Sequence, residues 1–102
     1  MNTKMPDTIY LFPTYYTVKG MQEGEGEFYQ GRADHKVREI RIEVSACEEA
    51  KKSVMLHEIV HCIFNQASLP QTDEIQTDVL ANGFLNIIRG NADLIKWLAE
   101  VK

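Results

Sequence analysis

Residues 45–67 read SACEEAKKSVMLHEIVHCIFNQA, and this stretch decides how the rest of the chain is arranged. From Cys47 to Ala67 it has no Gly or Pro, so nothing in it interrupts a helix. Ser45 is a candidate N-cap, whose hydroxyl can accept from an unpaired N–H of the first turn. Glu48 and Glu49 fall in that turn, where the helix dipole favours anions. Val54, Met55, Leu56, Ile59, Val60, Ile63 and Phe64 cover most of the circumference, which predicts a central helix buried on more than one side. Three polar side chains interrupt this apolar run: His57, Glu58 and His61.

The segments on either side have different periods. Residues 8–18, TIYLFPTYYTV, are aromatic and β-branched and predict a strand. Pro13 has no backbone donor, so that strand should lie at an edge or carry a bulge. Residues 19–26, KGMQEGEG, predict a turn. Their glycines do not make a phosphate loop, because no lysine follows and Glu23, Glu25 and Glu27 would repel an anion. A second short strand is expected over 27–33. Residues 37–44, VREIRIEV, alternate, with Ile40, Ile42 and Val44 on one face and Glu39, Arg41 and Glu43 on the other, the pattern of a half-buried strand. Downstream, Pro70 marks a break, Thr72 or Asp73 caps a second helix reaching about Arg89, and Gly90 ends it. Asn91 caps a third helix with Leu94, Ile95, Leu98 and Val101 as its apolar stripe; Trp97 beside them reads as core. The expected fold is α+β: three antiparallel strands followed by three helices, one domain over residues 1–102.

Length and charge narrow the function. The chain has 102 residues, with Lys+Arg 11 against Asp+Glu 15 and a net charge of −4. An acidic chain without a basic face is not a nucleic-acid binder. No stretch approaches the ~20 apolar residues that span a bilayer. Cys47 and Cys62, on one helix, would be about 22 Å apart and cannot bridge. Both are expected to be small packing residues. Reduced thiols, together with an N-terminus lacking a signal-peptide pattern, predict a cytoplasmic protein. A domain this small is marginal on its core alone and is helped by a metal or a partner.

HEIVH, residues 57–61, has the ligands to hold such a metal. Four residues make about one helical turn, so His57 and His61 stack on one face and can share an ion. Glu58 is offset around the helix, within reach of a water on that ion without being a ligand. Two histidines and a glutamate buried without partners would cost about 1–3 kcal/mol each. A catalytic zinc takes a third protein ligand. Glu74 and Asp78 lie four apart on the second helix, hence on one face. Glu74, which reaches farther, is favoured as that ligand, with Asp78 accepting from the outer nitrogen of a liganding histidine; the competing assignment makes Asp78 the ligand.

HEIVH followed by EIQTD (residues 74–78) resembles a minimal gluzincin-type zinc metallopeptidase. That resemblance implies His57, His61 and Glu74 as Zn2+ ligands, Glu58 as general base and Asp78 behind a ligand. The whole chain, with DVLANGFLNIIRGNADLIKWL at 78–98, is similar to small phage-encoded metallopeptidases. A looser similarity is to the ImmA/IrrE family. There the helix carries E-x-x-A-N-x-F, which Asp78, Ala81, Asn82 and Phe84 match with Asp in place of Glu, keeping Asp78 open as the ligand.

The expected function is therefore hydrolysis of a peptide bond in a peptide or protein substrate, with Glu58 moving the proton. The alternative is a non-catalytic, zinc-stabilised interaction or regulatory module of phage or mobile-element origin. His35 and Tyr29 are minor candidates for the donor that stabilises the oxyanion. An extended peptide could dock on a sheet edge, for which strand 37–44 is the candidate. The aromatic residues at 10, 12, 15 and 16 read as core. So few residues remain after the site is built that a shallow cleft, completed by a partner protein or a dimer mate, is expected.

Overall fold

The computed structural model describes residues 3–21, 30–71 and 73–101. Seven elements follow in order: β1 (Thr8–Leu11), β2 (Thr14–Met21), β3 (Gly31–Asp34), β4 (Glu39–Glu43), α1 (Glu48–Gln66), α2 (Glu74–Gly90) and α3 (Ala92–Ala99). The class is α+β, but the sheet has four strands, not three. It is mixed, in the order β1-β2-β4-β3. β1 pairs antiparallel with β2, β3 antiparallel with β4, and β2 parallel with β4.

The extra strand comes from Pro13. The single strand expected over 8–18 breaks at Phe12 and Pro13, where a two-residue turn folds it into the β1–β2 hairpin. A proline cannot donate to a sheet ladder, so the chain turns there instead of running through. Residues 19–21, expected as turn, extend β2. The rest of that turn, residues 22–26, and the first residues of the strand expected over 27–33 lie outside the described residues.

Ile40 and Ile42 are fully buried, as their alternation with Glu39, Arg41 and Glu43 requires. Each such burial is worth about 1.5–3 kcal/mol. Across the inner face Val18, Ile40 and Ala33 form one row, and Gly20, Ile42 and Gly31 the next. Of the two glycines flanking Ile42, Gly20 makes room for Val44 and Gly31 makes room for α1. A Cβ on Gly31 would collide with Val54 Cγ1 and stand 3.1 Å from the Arg41 carbonyl oxygen. The absence of that side chain lets α1 lie close against β3.

Helix α1 sits between the sheet and α2, and buries Met55, Glu58, Val60 and Cys62. Its N-cap is Cys47 rather than Ser45, without a side-chain capping bond. Ser45 is held in the turn closed by Ala46 N–H on the Glu43 carbonyl, 3.3 Å. Cys47 is thus exposed instead of packed, while Cys62 is buried; both are free thiols. At the far end Ser68 adopts φ 58°, which reverses the chain into the α1–α2 linker. Asp73 caps α2, its side chain accepting from Gln76 N–H at 2.7 Å. Thr72, the other cap candidate, lies outside the described residues.

The C-terminal helices depart most from expectation. α2 buries only Thr77 and Ala81, and α3 buries nothing. Trp97, expected in the core, is 67% exposed, and Leu94, Leu98 and Val101 are exposed with it. Tyr10, Phe12 and Tyr15 are likewise exposed, and of the four early aromatic residues Tyr16 alone enters the core. No described helix is long and apolar enough to cross a membrane.

Candidate metal centre

One helical turn of α1 aims two imidazoles at the start of α2. His57 Nε2 lies 3.2 Å from His61 Nε2. The Glu74 carboxylate spans both, with Oε2 at 2.6 Å from His57 Nε2 and Oε1 at 3.2 Å from His61 Nε2. The three residues present one donor atom each within 4.8 Å of one another. Asp78 does not face this point. It accepts from the other side of the His57 ring, Nδ1 to Oδ1, 2.7 Å.

His61 is held the same way by a residue that the sequence pattern did not single out. Gln71 donates from Nε2 to the His61 carbonyl oxygen at 3.1 Å, which orients its amide. Its Oε1 then accepts from His61 Nδ1–H at 2.9 Å. Gln71 stands in a linker with no periodicity. Only the reversal at Ser68 brings it back over α1.

These bonds set the chemistry of the cluster. With both Nδ1 atoms donating, a neutral imidazole carries a lone pair on Nε2. Two such lone pairs and two carboxylate oxygens then meet with no hydrogen among them. Electrostatics requires positive charge at that point, either a proton on His57 Nε2 or a metal cation. Two nitrogens on a tetrahedral zinc, each about 2.0–2.1 Å from it, are about 3.3 Å apart, close to the separation found. The two nitrogens are thus spaced as metal ligands and the donor types suit a divalent cation, while Glu74 Oε2, 2.6 Å from His57 Nε2, stands at hydrogen-bond distance. Burial alone would lower the His57 pKa. The Asp78 hydrogen bond and the charges of Glu58 and Glu74 outweigh it and hold the pKa above its ordinary value.

Glu58 points from the same turn into the core side of the cleft and is buried. Burial, reinforced by Glu74 and opposed by His57 and His61, raises its pKa. His57, Glu58 and Glu74 line two adjoining hollows of about 450 and 220 Å³. Gln30, Gly31, Ser53, Val54, Asp78 and Asn82 complete the larger one. Gly31, Arg32 and Ala33 of β3 line the smaller one beside His61. Strand 37–44, expected as a docking edge, is instead the interior strand β4. The edge that borders the cleft is β3.

His35 follows β3 and is half-buried, with Nδ1 3.2 Å from the Tyr16 hydroxyl. Burial first, then the neighbouring His61, lowers its pKa. Burial also pushes Tyr16 up to about 12 and Cys62 up to about 11, so both stay protonated beneath the site. His35 is not among the residues lining the two hollows. Tyr29 lies outside the described residues. Comparison with protein-family models, with curated proteins and with solved structures gave no match, so the functional reading rests on this geometry and on the sequence.

Proposed function

We propose that the protein is a zinc-dependent metallopeptidase, in which His57, His61 and Glu74 hold Zn2+ and Glu58 is the general base. The observation that carries this reading is the convergence of two imidazole Nε2 atoms and one carboxylate, with each imidazole engaged at Nδ1 by an acceptor. Three protein ligands of this kind leave one position open, as catalytic zinc sites do. When bound, the metal supplies a Lewis acid and lowers the pKa of a coordinated water.

The remaining work belongs to the chain. Asp78 and Gln71 keep the Nδ1 protons in place, so the Nε2 lone pairs stay aimed at the centre. Glu58, with its raised pKa, accepts a proton in the cleft and returns it to the leaving amine. β3 offers a sheet edge along which an extended peptide or protein segment adds as a strand. The resemblance of HEIVH and EIQTD to gluzincin-type metallopeptidases points to the same chemistry.

The test is zinc analysis of the full chain prepared without chelators, followed by cleavage of a mixed peptide library. About one zinc per chain is expected. Glu58→Gln should keep the zinc and lose cleavage. A chain without zinc affinity, or Glu58→Gln with undiminished cleavage, overturns the proposal. Zinc retained with no cleavage by the wild-type chain would favour the non-catalytic module instead.

A further inference from the structure

The larger hollow beside the centre carries polar groups that the chain itself does not use. It lies between α1 and α2. Ser53 stands one turn before His57 on α1, and Asn82 one turn after Asp78 on α2, so each pair shares a helix face. Gln30 closes the hollow just before β3. Among the described residues, the side chains of Gln30, Ser53 and Asn82 have no hydrogen-bond partner within the chain. Asp78 spends Oδ1 on His57 and leaves Oδ2 open.

Charge decides what such a wall admits. Amides and a hydroxyl both donate and accept, so they suit a group of either sign. Asp78 does not, because its carboxylate, 65% exposed, only accepts. Glu58 and Glu74 add two more carboxylates to the lining, and among the described residues no lysine or arginine joins them. The two charges of a zinc ion offset two of the three. Arg32 borders the smaller hollow instead. Val54 is the one apolar side chain among the described lining residues. An apolar group entering here would strip water from Gln30, Ser53 and Asn82 and give no hydrogen bond in return.

The edge of β3 can hold a segment beside this wall. Glu43 N–H donates to the Gln30 carbonyl oxygen at 2.8 Å, so Gln30 is bonded to β4. Opposed residues of an antiparallel pair alternate between bonded and non-bonded, and Gly31 therefore turns its N–H and C=O to the open edge. Gly31 borders both hollows, as Glu58 does. A backbone bonded to Gly31 thus has the larger hollow beside it for a side chain. We propose that this hollow is a specificity site for a lysine or arginine side chain, so that the protein cleaves beside a basic residue. The cation binds Asp78 Oδ2, and the oxygens of Gln30, Ser53 and Asn82 complete its hydrogen bonds. This rests on the metallopeptidase reading and deepens it by naming the substrate class.

Zinc-loaded Glu58→Gln, which should hold substrate without cutting it, tests this with alanine peptides that differ at one central residue: Lys, Arg, Gln, Met or Glu. The Lys and Arg peptides should bind at least about ten-fold more tightly than the Glu peptide. Their lead should shrink as salt is added, because Asp78 is exposed. Bonds cut by the wild-type chain in a mixed library should carry a basic residue on one side. Asn82→Lys sets an ammonium one turn from Asp78 and should abolish the preference, with zinc content and circular dichroism unchanged. Tightest binding of the Met peptide, equal binding of Lys and Glu, no binding of any peptide at about 1 mM, or a preference that survives Asn82→Lys overturns the proposal. The same series on metal-free Glu58→Gln keeps the two readings apart. A basic preference in a chain that neither takes up zinc nor cleaves overturns the metallopeptidase and leaves the basic site standing. Zinc uptake and cleavage without that preference overturn the basic site alone.

Discussion

Asp78 and Glu74 hold opposite nitrogens of one ring: Asp78 Oδ1 lies 2.7 Å from His57 Nδ1, and Glu74 Oε2 lies 2.6 Å from His57 Nε2. One turn of α2 therefore grips the imidazole from both sides. Asp78→Ala should weaken zinc affinity by about 10–100-fold, the usual effect of removing a partner behind a metal ligand. The fold should persist, because the Asp78 side chain is 65% exposed. Competition titration against a zinc chelator measures the change, and unchanged affinity would refute the role.

Gln71 does for His61 what Asp78 does for His57, with a neutral amide. Gln71→Ala should lower zinc affinity by about ten-fold. Gln71→Glu should restore it, since a carboxylate accepts from Nδ1–H at least as well. The melting temperature of the metal-free protein is the control. Equal losses of affinity in both variants would mean that the linker needs the amide for its backbone bond instead.

The site also predicts how stability follows pH. Folded-state pKa values of Glu58 and His57 both lie above their ordinary values of 4.5 and 6.5. The stability they contribute is complete below those ordinary values and is lost as pH rises through the folded ones. His35, whose pKa is lowered, acts in the opposite direction near pH 6, so in a His35→Gln background metal-free protein should melt lower at pH 8 than at pH 6, by about 4–8 °C for each kcal/mol lost. Zinc takes the place of the proton on Nε2, so the stabilisation it brings should grow over the same interval. Melts with zinc and with chelator at both pH values check the sign.

Glu58→Gln separates chemistry from folding. Loss of the general base should reduce peptide cleavage by about 10²–10⁴-fold. The same change removes a buried charge, so the metal-free variant should melt higher than wild type at pH 8. A variant that is both inactive and less stable would point to a structural carboxylate.

Gly31 tests the contact between β3 and the helix that bears the site. Gly31→Ala drives a methyl group into Val54 and should cost about 1–3 kcal/mol, as overpacking does. Adding Val54→Ala should recover part of that loss. Denaturant midpoints of the single and double variants measure both effects.

Much of this arrangement was legible locally. The uninterrupted run from Cys47 to Ala67 read as a helix, and the four-residue spacing of His57 and His61 put both rings on one face. The alternation over 37–44 put Ile40, Ile42 and Val44 on one face; the two isoleucines are buried, whereas Val44, past the end of β4, is 46% exposed. Pro13 signalled a disruption but not its form, because a bulge and a hairpin satisfy a missing donor equally well. Glu74 and Asp78 share a face by spacing, and which of them meets Nε2 depends on how far along α1 the second helix docks.

What the sequence determined by itself is therefore periodic and short-range: the helix that carries HEIVH, the inward isoleucines, and a second helix with two carboxylates one turn apart. Tertiary structure alone decided that β2 and β4 run parallel, that β3 forms the edge beside the cleft, and that Gln71 returns to hold His61. It also decided that the stripes of α2 and α3 stay uncovered. Side-chain period records which face of an element is apolar, because successive residues rotate by a fixed angle about its axis. It does not record what meets that face, since strand order and helix docking are set by contacts between residues far apart in the chain.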